Sequence, residues 1–423
     1  MAFLKGHDAM NDLAVYLHNH FVGKLWTDDK QRFVFQYDPK YLEYPGAMAL
    51  SNSLPLTEAP YENDTARPFF SNLLPEGEVR LLISKIKQVS EKNDFKLLEA
   101  IGGECAGAVS ILPPGEDLPD NRYYIPLSDK ELEDMLEKNI LKPILVFRDE
   151  LRLSLAGAQN KIPIYINDNR FFLTQGGSPS THILKPQAIH FKDTVQNELF
   201  CLMIAEKAGL TVPKSYLWQG KKHVAYITER YDRIIDDKGN VKRLHQEDFC
   251  QALGFMPEQK YEAEGGPGLA DCLRLVQDYS FQPVLDSQSL YRWIIFNFLI
   301  GNADAHAKNL SFIIEESGKT RLAPFYDLIS TLIYPQISKK MAMKIGKESR
   351  FEWVFERHWQ RMAEQADIKF SYLKGILLDY SNQLPLIANE LADDFIRNSG
   401  AESSIRQICT VISVNAKHVK NSL

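Results

Sequence analysis

Cysteine is scarce in this sequence of 423 residues, and the cysteines are not clustered. The five cysteines are odd in number, and none forms a CxxC pair or lies in a cysteine–histidine cluster. The ten histidines also lack the HxxxH and HExxH spacings. Disulfide frameworks and structural zinc sites need paired or closely grouped residues of these types. The sequence therefore argues against both and indicates a reducing cytoplasm.

Long apolar runs are absent as well. The N-terminal residues "MAFLKGHDAM" lack the apolar core of a signal peptide. The longest apolar run, around residues 293–300, is far shorter than the roughly 18 residues that a membrane helix needs. We therefore expect a cytoplasmic protein that has no membrane partner.

An excess of positive charge is the third absence. The formal net charge is −6, so no overall basic field points to nucleic acid, and free DNA binding by this chain alone is not expected. The hydrophobic content of 44% and the charged content of 25% are those of a globular protein with sizeable cores. Disorder is not expected to dominate.

Turn-forming residues divide the chain into three predicted parts. Short strands separated by turns predict a β-rich N-terminal module over residues 1–112. A cluster of Pro, Gly and Asp over residues 113–121 marks the boundary that follows. Strand and helix patterns mix over residues 122–235, and residues 236–423 are mostly helical. This organisation predicts the α+β class.

Several local elements are specific enough to predict. "KIPIYIND" and "RFFLT" predict a hairpin that turns at residues 167–169. "DTVQNELFCLMIAEKAGL" predicts a helix that ends at Gly209. "HVAYITERYDRII" predicts one strand. In the helical C-terminal part, one interruption is predicted, a β-hairpin over "NLSFIIEESGKTRLAPFYD".

The densest polar group follows the longest apolar run, in "GNADAHAKNLSFII". Here Asp304 precedes Asn309 by five residues, so the Asp can accept the proton of an attacking hydroxyl while the Asn oxygen holds Mg²⁺ on the phosphates. Mg²⁺ prefers further hard oxygen ligands, and Asp327 lies at the far end of the predicted hairpin. Taken alone, an Asp-x4-Asn pattern also arises by chance in turns and helix caps.

Upstream residues place this pattern in a known order. The small residues Ala156, Gly157 and Ala158 form a loop that lets backbone N–H groups approach phosphates, although a plain turn is the alternative. In the apolar strand "THILKP", Lys185 needs an anionic partner. On the next helix, Glu198 either pairs with Lys185 or lies on the exposed surface. A loop, a strand lysine, a helix glutamate, a hinge, an Asp/Asn loop and a final Asp follow the order of a protein kinase.

The chain also resembles the HipA family of serine/threonine kinases, the toxins of bacterial toxin–antitoxin pairs. The resemblance spans nearly the whole chain and rests on "NLLPEGEV", "IGGECAGAV", "RLSLAGAQNK", "THILKP", "ERYDR", "QEDFCQALG", "EGGPGLA", "NADAHAKN" and "PFYD". It implies a bilobal protein-kinase-like fold with a β-rich N-terminal module, a mixed α/β ATP-binding lobe and a mostly helical C-terminal lobe.

The resemblance also implies roles for individual residues. Asp304 would be the catalytic base, and Asn309 and Asp327 would hold Mg²⁺. The residues implied to bind ATP are Ala156, Gly157, Ala158, Gln159, Asn160, Lys161, Lys185, Glu229, Arg230, Tyr231, His306, Lys308, Asn309, Tyr326 and Asp327. Ser154 matches the serine whose autophosphorylation silences such kinases. One departure from eukaryotic kinases is His306, which stands where a lysine is usual.

The implied partners are an antitoxin, its DNA and a protein substrate. A HipB-like helix-turn-helix antitoxin dimer would neutralise the kinase and bind operator DNA with it. The basic residues Lys344, Lys347, Arg350 and Arg357 are candidates for contact with the DNA backbone, and a solvated charged face is the alternative. The substrate implied is a protein, plausibly an aminoacyl-tRNA synthetase, whose phosphorylation restrains growth and promotes persistence.

Two other functions remain open at this stage. One is a small-molecule kinase with the same ATP site. The other is a co-repressor whose kinase site is vestigial, although the intact Lys185, Asp304, Asn309 and Asp327 count against it.

Overall fold

A computed structural model of the protein describes residues 12–116, 118, 123–137, 161–175 and 178–423. The chain divides into two compact units. The first contains the described residues up to His182 together with Asp232–Glu247 and Ile314–Gly318. The second contains Ile183–Tyr231, Asp248–Ile313 and Lys319–Leu423. Both units mix sheets with helices, which confirms the predicted α+β class, while the division at residues 112, 122 and 235 stays a prediction.

The N-terminal part of the first unit is built on an antiparallel sheet of four strands. Their order across the sheet is Phe33–Tyr37, His20–Thr27, Leu13–Leu17 and Val109–Leu112. Side chains alternate along each strand, so that Leu13, Val15 and Leu17 are buried on one face. The strands predicted from "LAVYL" to "FVFQY" are therefore confirmed.

Helices cover the buried face of this sheet. Phe69 and Phe70 from one helix and Leu98 from another join Phe35 of the sheet in a single apolar core. The described helices of the first unit are Pro39–Leu42, Asn63–Ser71, Gly77–Lys87, Asp94–Ile101 and Asp129–Glu137.

A second group of strands in the first unit contains the predicted hairpin. The strands Ile162–Asn167 and Arg170–Gln175 pair antiparallel, and Tyr123–Leu127 pairs with the outer edge of Arg170–Gln175. Asp168 and Asn169 form the turn with φ of 49° and 58°. Two-residue hairpin turns need such left-handed residues, which Asn and Asp tolerate better than most. The hairpin is confirmed.

The strand predicted over "HVAYITERYDRII" is wrong in its length. One strand, Val224–Glu229, ends before Arg230, and a separate strand, Arg233–Ile235, pairs with Val241–Arg243. The physical reason is a buried ionic network at the second strand. Arg233 lies 3.1 Å from Glu104 and 2.8 Å from Asp232, and all three side chains are at most 5% exposed.

The second unit is mainly helical around an apolar centre. The helix Pro283–Ile300 begins with proline, ends at Gly301 with φ of 70°, and buries most of its residues. The predicted helix is confirmed as Thr194–Lys207, with Gly209 at φ 84° just beyond its end. Three strands lie in the order His182–Pro186, Val224–Glu229 and Ser215–Gln219. The other helices are Phe249–Leu253, Leu269–Tyr279, Glu356–Gln365, Phe370–Ser399 and Glu402–Ser422.

Two hairpins interrupt the helices, where the sequence predicted one. The predicted hairpin is formed by Ser311–Ile314 and Thr320–Leu322. A second pairs Lys340–Ile345 with Glu348–Arg350, so the prediction of a single interruption is wrong. Gly346 makes its turn with φ of 53°, and a Cβ there would lie 2.1 Å from the carbonyl oxygen of His358. The many lysines of this stretch hid the alternation of apolar and polar residues that predicts a strand.

The cysteines lie in the interior of the protein. All five cysteines are buried free thiols, so none forms a disulfide. Among the helices that the structure describes, none has the length and apolar character to cross a membrane.

Replacement of Glu104 by alanine tests the ionic network of the first unit. The change removes the carboxylate that lies 3.1 Å from the Arg233 guanidinium, which is 1% exposed. We expect the free energy of unfolding in urea to fall by about 3 kcal/mol, because breaking a buried pair leaves a poorly compensated charge.

A matched control is Arg397→Ala, which breaks an exposed ion pair with Asp394 at 3.0 Å. Its effect should stay below about 0.5 kcal/mol. Equal effects of the two variants would show that the network contributes no more than a surface pair.

Candidate active site

The loop after the helix Pro283–Ile300 has one exposed side chain. In residues 301–310, all within the described chain, Asp304 is exposed and the others are buried. The buried polar side chains of this loop are Asn302, His306, Lys308 and Asn309, each 7% exposed or less. A carboxylate held at the surface of a buried polar loop can meet a protein substrate.

Carboxamide side chains fix Asp304 on both sides. The Asp304 backbone N–H donates to Oδ1 of Asn302 at 3.1 Å, and Nδ2 of Asn309 donates to the Asp304 carbonyl at 3.1 Å. Nδ2 of Asn302 also donates to Oδ1 of Asn297 at 2.8 Å. The bond through Asn309 Nδ2 leaves that side chain's oxygen, a hard ligand, as the atom for a cation.

Asp327 meets this loop at Asn302. Nδ2 of Asn302 has a second, long contact of 3.4 Å to the Asp327 carbonyl oxygen, so one side chain links both segments. The hairpin therefore returns the chain to this loop at Asn302. Asp327 has a φ of 53°, a left-handed conformation that is uncommon outside glycine and that clusters at functional sites. Asn302 was not identified from the sequence.

Lys185 forms the centre of the ionic arrangement. Its ammonium donates to Oε1 of Glu198 at 2.6 Å and also to Oδ1 of Asp327. Lys185 and Glu198 are both at most 5% exposed, so the alternative that Glu198 lies on an exposed helix surface is wrong. Burial alone would lower the pKa of Lys185, but the carboxylates of Asp327 and Glu198 outweigh it and raise that pKa above its usual value. Lys185 therefore stays charged.

Asn197 holds the helix of Glu198 against the segment of Asp327. Its Nδ2 donates to the Ser330 carbonyl at 3.0 Å, and its Oδ1 accepts from the Ser330 N–H at 2.9 Å. Asn197 is fully buried. Since Ser330 lies three residues after Asp327, this bidentate contact sets where the helix and the segment meet. The sequence offered only one hint, a polar residue directly before Glu198 in an apolar helix.

Lys308 is buried, Tyr326 is partly buried, and both are bonded within the second unit. The Lys308 ammonium lies 3.2 Å from Asp248, which also caps the helix Phe249–Leu253. The Tyr326 hydroxyl donates to the Lys308 carbonyl at 2.8 Å and lies 2.7 Å from the Ser311 hydroxyl. Burial raises the pKa of Tyr326 well above its usual value, so its hydroxyl stays protonated.

Of the other residues predicted to bind ATP, some lie within the described part of the chain and some lie outside it. Tyr231 stacks on Tyr326 with ring centroids 5.7 Å apart, and the preceding Glu229 is exposed while Arg230 is buried. Lys161 is partly buried and directly precedes the strand Ile162–Asn167. The remaining predicted positions, Ser154, Ala156, Gly157, Ala158, Gln159 and Asn160, lie outside the described residues.

The basic residues proposed to contact DNA differ in their surroundings. Lys344 lies 3.3 Å from Glu262, and Arg350 lies 3.1 Å from Glu348 and over the Trp353 ring. Lys347 and Arg357 are exposed. Two of the four positive charges are therefore compensated by acids.

The metal chemistry available is that of oxygen ligands. The described residues contain no group of three or more His, Cys, Asp or Glu that could hold a metal ion. One carboxylate and one carboxamide oxygen, Asp327 and Asn309, suit Mg²⁺, which is usually bound by one or two protein ligands together with phosphates and water.

Together, these features define a phosphotransferase of the protein-kinase class. An exposed Asp in an Asp-x4-Asn loop, a second Asp after a hairpin and a buried Lys–Glu pair are the parts that this class uses.

Two family models divide the chain between them. The model for the HipA N-terminal domain matches residues 13–112, and the model for the HipA-like C-terminal domain matches residues 153–397. The chain belongs to the HipA family.

Individual relatives agree with this assignment. The chain is 40% identical to the protein Y4mE of Sinorhizobium fredii, over 84% of this chain and 86% of that one. It is 32% identical to the serine/threonine-protein kinase toxin HipA of Shewanella oneidensis, over 79% of both proteins.

A solved structure supports the fold. A chain in the complex of HipA, HipB and operator DNA from the Shewanella oneidensis toxin–antitoxin system matches with a TM-score of 0.84 and 27% identity, covering 97% of each chain. The family resemblance, the kinase-like fold and the assignment as a kinase are thereby confirmed.

Replacement of Asn197 by alanine tests the link between the helix and the Asp327 segment. The change leaves the Ser330 N–H and carbonyl without their side-chain partner in a buried place. We expect the free energy of unfolding to fall by about 2 kcal/mol, since an unpaired buried polar group costs about 1–3 kcal/mol.

Thermal and urea unfolding measure this effect. Asn398→Ala, at an exposed position late in the helix Phe370–Ser399, is the control and should change stability by less than about 0.5 kcal/mol. If Asn197→Ala were as mild as the control, the bidentate contact would not hold the two segments together.

Proposed function

We propose that this kinase transfers the γ-phosphoryl group of Mg²⁺-ATP to a serine or threonine hydroxyl of a protein. The observation that carries the proposal is the buried Lys185 bonded to both Glu198 and Asp327, with the exposed Asp304 in the adjoining loop. Bound Mg²⁺ would neutralise phosphate charge, and Asn309 and Asp327 are the residues proposed to hold it.

Lys185 is proposed to contact the phosphates. An ammonium has three N–H donors, so Lys185 can keep its bond to Glu198 and still donate to phosphate oxygens. The Asp327 side chain is 28% exposed. Its bond to Lys185 keeps the carboxylate close to the proposed position of the phosphates. Glu198 thus orients the lysine, and Asp327 serves the metal.

Asp304 is proposed to be the base. It accepts the proton of the acceptor hydroxyl as that oxygen attacks, and its exposure lets a protein substrate reach it. The proposal further places Glu229, Arg230 and Tyr231 at the adenine, and His306, Lys308 and Tyr326 beside the phosphates. The loop of residues 156–161 would cover the phosphates, and autophosphorylation of Ser154 would silence the enzyme.

The proposed biology is that of a toxin under antitoxin control. The match to a chain in a HipA–HipB–operator complex supports a HipB-like antitoxin dimer and operator DNA as partners. The exposed Lys347 and Arg357 are the more promising contacts for the DNA backbone, because Lys344 and Arg350 already pair with acids. An aminoacyl-tRNA synthetase is the proposed substrate, and its phosphorylation would restrain growth and promote persistence in the cytoplasm.

The variant Asp304→Asn tests the mechanism. A general base contributes about 10²–10⁴-fold in rate, and the isosteric amide cannot accept the proton. We expect transfer of labelled phosphate to protein in a cell extract, and to the kinase itself, to fall by that factor while ATP still binds.

The control is Asp278→Asn, which changes an exposed carboxylate on the helix Leu269–Tyr279 and should leave transfer unchanged. Near wild-type autophosphorylation by purified Asp304→Asn would refute the assignment of the base.

A second variant, Asp327→Ala, tests the proposed metal ligand. Calorimetric titration with ATP, with and without Mg²⁺, should show that its nucleotide affinity no longer depends on the metal. Asp304→Asn should keep that dependence, because Asn309 and Asp327 remain in place. If Asp327→Ala responded to Mg²⁺ as the wild type does, Asp327 would have a structural role only.

A further inference from the structure

The segment between two helices of the second unit places a tyrosine on Asp304. Two short 3₁₀ turns, Pro257–Gln259 and Glu262–Glu264, flank Tyr261. The Tyr261 hydroxyl donates to Oδ1 of Asp304 at 2.8 Å. Its ring also lies edge-on against the His306 ring, with centroids 5.4 Å apart. Tyr261 therefore touches the exposed carboxylate and a buried residue of the same loop.

Backbone contacts hold Tyr261 in this position. Its carbonyl accepts from the N–H groups of Glu264 and Gly266, each at 3.0 Å. These bonds form a tight turn within residues 257–268, a segment that we call the knuckle. A Cβ at Gly266 would lie 1.7 Å from the carbonyl oxygen of Gln259, so the turn depends on glycine.

A neighbouring residue anchors the knuckle to the rest of the unit. Glu262 accepts from the backbone N–H of Lys344 at 2.6 Å and lies 3.3 Å from its ammonium. Lys344 belongs to the hairpin strand Lys340–Ile345. The fold therefore sets the direction of the Tyr261 hydroxyl.

The bond has a consequence for Asp304 as a base. An exposed carboxylate can rotate, and each rotation changes which oxygen faces an incoming hydroxyl. A donor fixed on Oδ1 removes that freedom and leaves Oδ2 to accept the proton. Orientation of this kind matters because small misplacements of reacting groups reduce rates strongly.

We propose that Tyr261 is a positioning residue for the base, holding Oδ1 of Asp304 so that Oδ2 faces the acceptor hydroxyl. The inference rests on the proposed role of Asp304. It assigns to the knuckle of residues 257–268 a part in phosphoryl transfer that the sequence pattern of a kinase does not contain.

Steady-state kinetics of four purified full-length variants test the proposal. They are Tyr261→Phe, Asp304→Asn, the double variant, and Tyr372→Phe as a control for loss of a tyrosine hydroxyl on the helix Phe370–Ser399. Autophosphorylation and phosphorylation of extract protein are followed with labelled ATP, together with the KM for ATP and the melting temperature.

We expect Tyr261→Phe to lower kcat by about 10- to 100-fold, the range expected for a hydrogen bond to a charged group. The KM for ATP and the melting temperature should stay at wild-type values, because the hydroxyl contacts the base and not the core. The double variant should be no slower than Asp304→Asn, since Tyr261 acts through the carboxylate that is already lost. Tyr372→Phe should behave as wild type.

Several results would overturn the inference. Unchanged kcat in Tyr261→Phe would show that the bond does not position the base, and further slowing in the double variant would place Tyr261 in another role. A lowered melting temperature with parallel loss of kcat and ATP affinity would make it structural. Phosphate on Tyr261 in the wild type, found by mass spectrometry, would make it an acceptor. Full activity of Asp304→Asn would instead overturn the proposed function itself, and this inference with it.

Discussion

The buried positive charge of Lys185 is the constraint on which the second unit depends. An ammonium removed from water is costly unless anions surround it, so Glu198 and Asp327 must both approach one point. This requirement fixes the helix Thr194–Lys207 and the segment after the hairpin against the strand His182–Pro186. The same requirement makes the place where these three elements meet rich in charge.

Hydrogen bonds of two asparagine side chains add to the ion pairs of Lys185 in holding these segments together. Asn197 and Asn302 each use both a donor and an acceptor, which lets one side chain tie down backbone groups where no strand or helix provides a partner. A carboxylate in these places would accept but not donate, and a lysine would donate but not accept. The arrangement holds the loop of Asp304 and the segment of Asp327 in register, while the carboxylate of Asp304 itself stays at the surface.

Sequence-based prediction succeeded where local chemistry sets the structure and failed where distant partners do. The hairpin turn at Asp168 and Asn169 and the helix end near Gly209 follow from the few residues that accept a left-handed backbone. The single strand predicted over residues 223–235 was wrong, because Arg233 turns towards Glu104, which is 129 residues away in the chain. Residues 340–350 were predicted to belong to the mostly helical C-terminal part, whereas the chain forms a hairpin there.

The sequence by itself determined that Lys185, Asp304, Asn309 and Asp327 follow one another in the order expected of a protein kinase, because residue type and spacing are read directly from the chain. It also determined the α+β class and the absence of disulfides. Only the tertiary structure decided that Glu198 is buried on Lys185, that Asn197 binds Ser330, and that Tyr261 contacts Asp304. These contacts join residues 13 to 133 positions apart, and periodicity within one element holds no information on which distant side chain fills the space beside it.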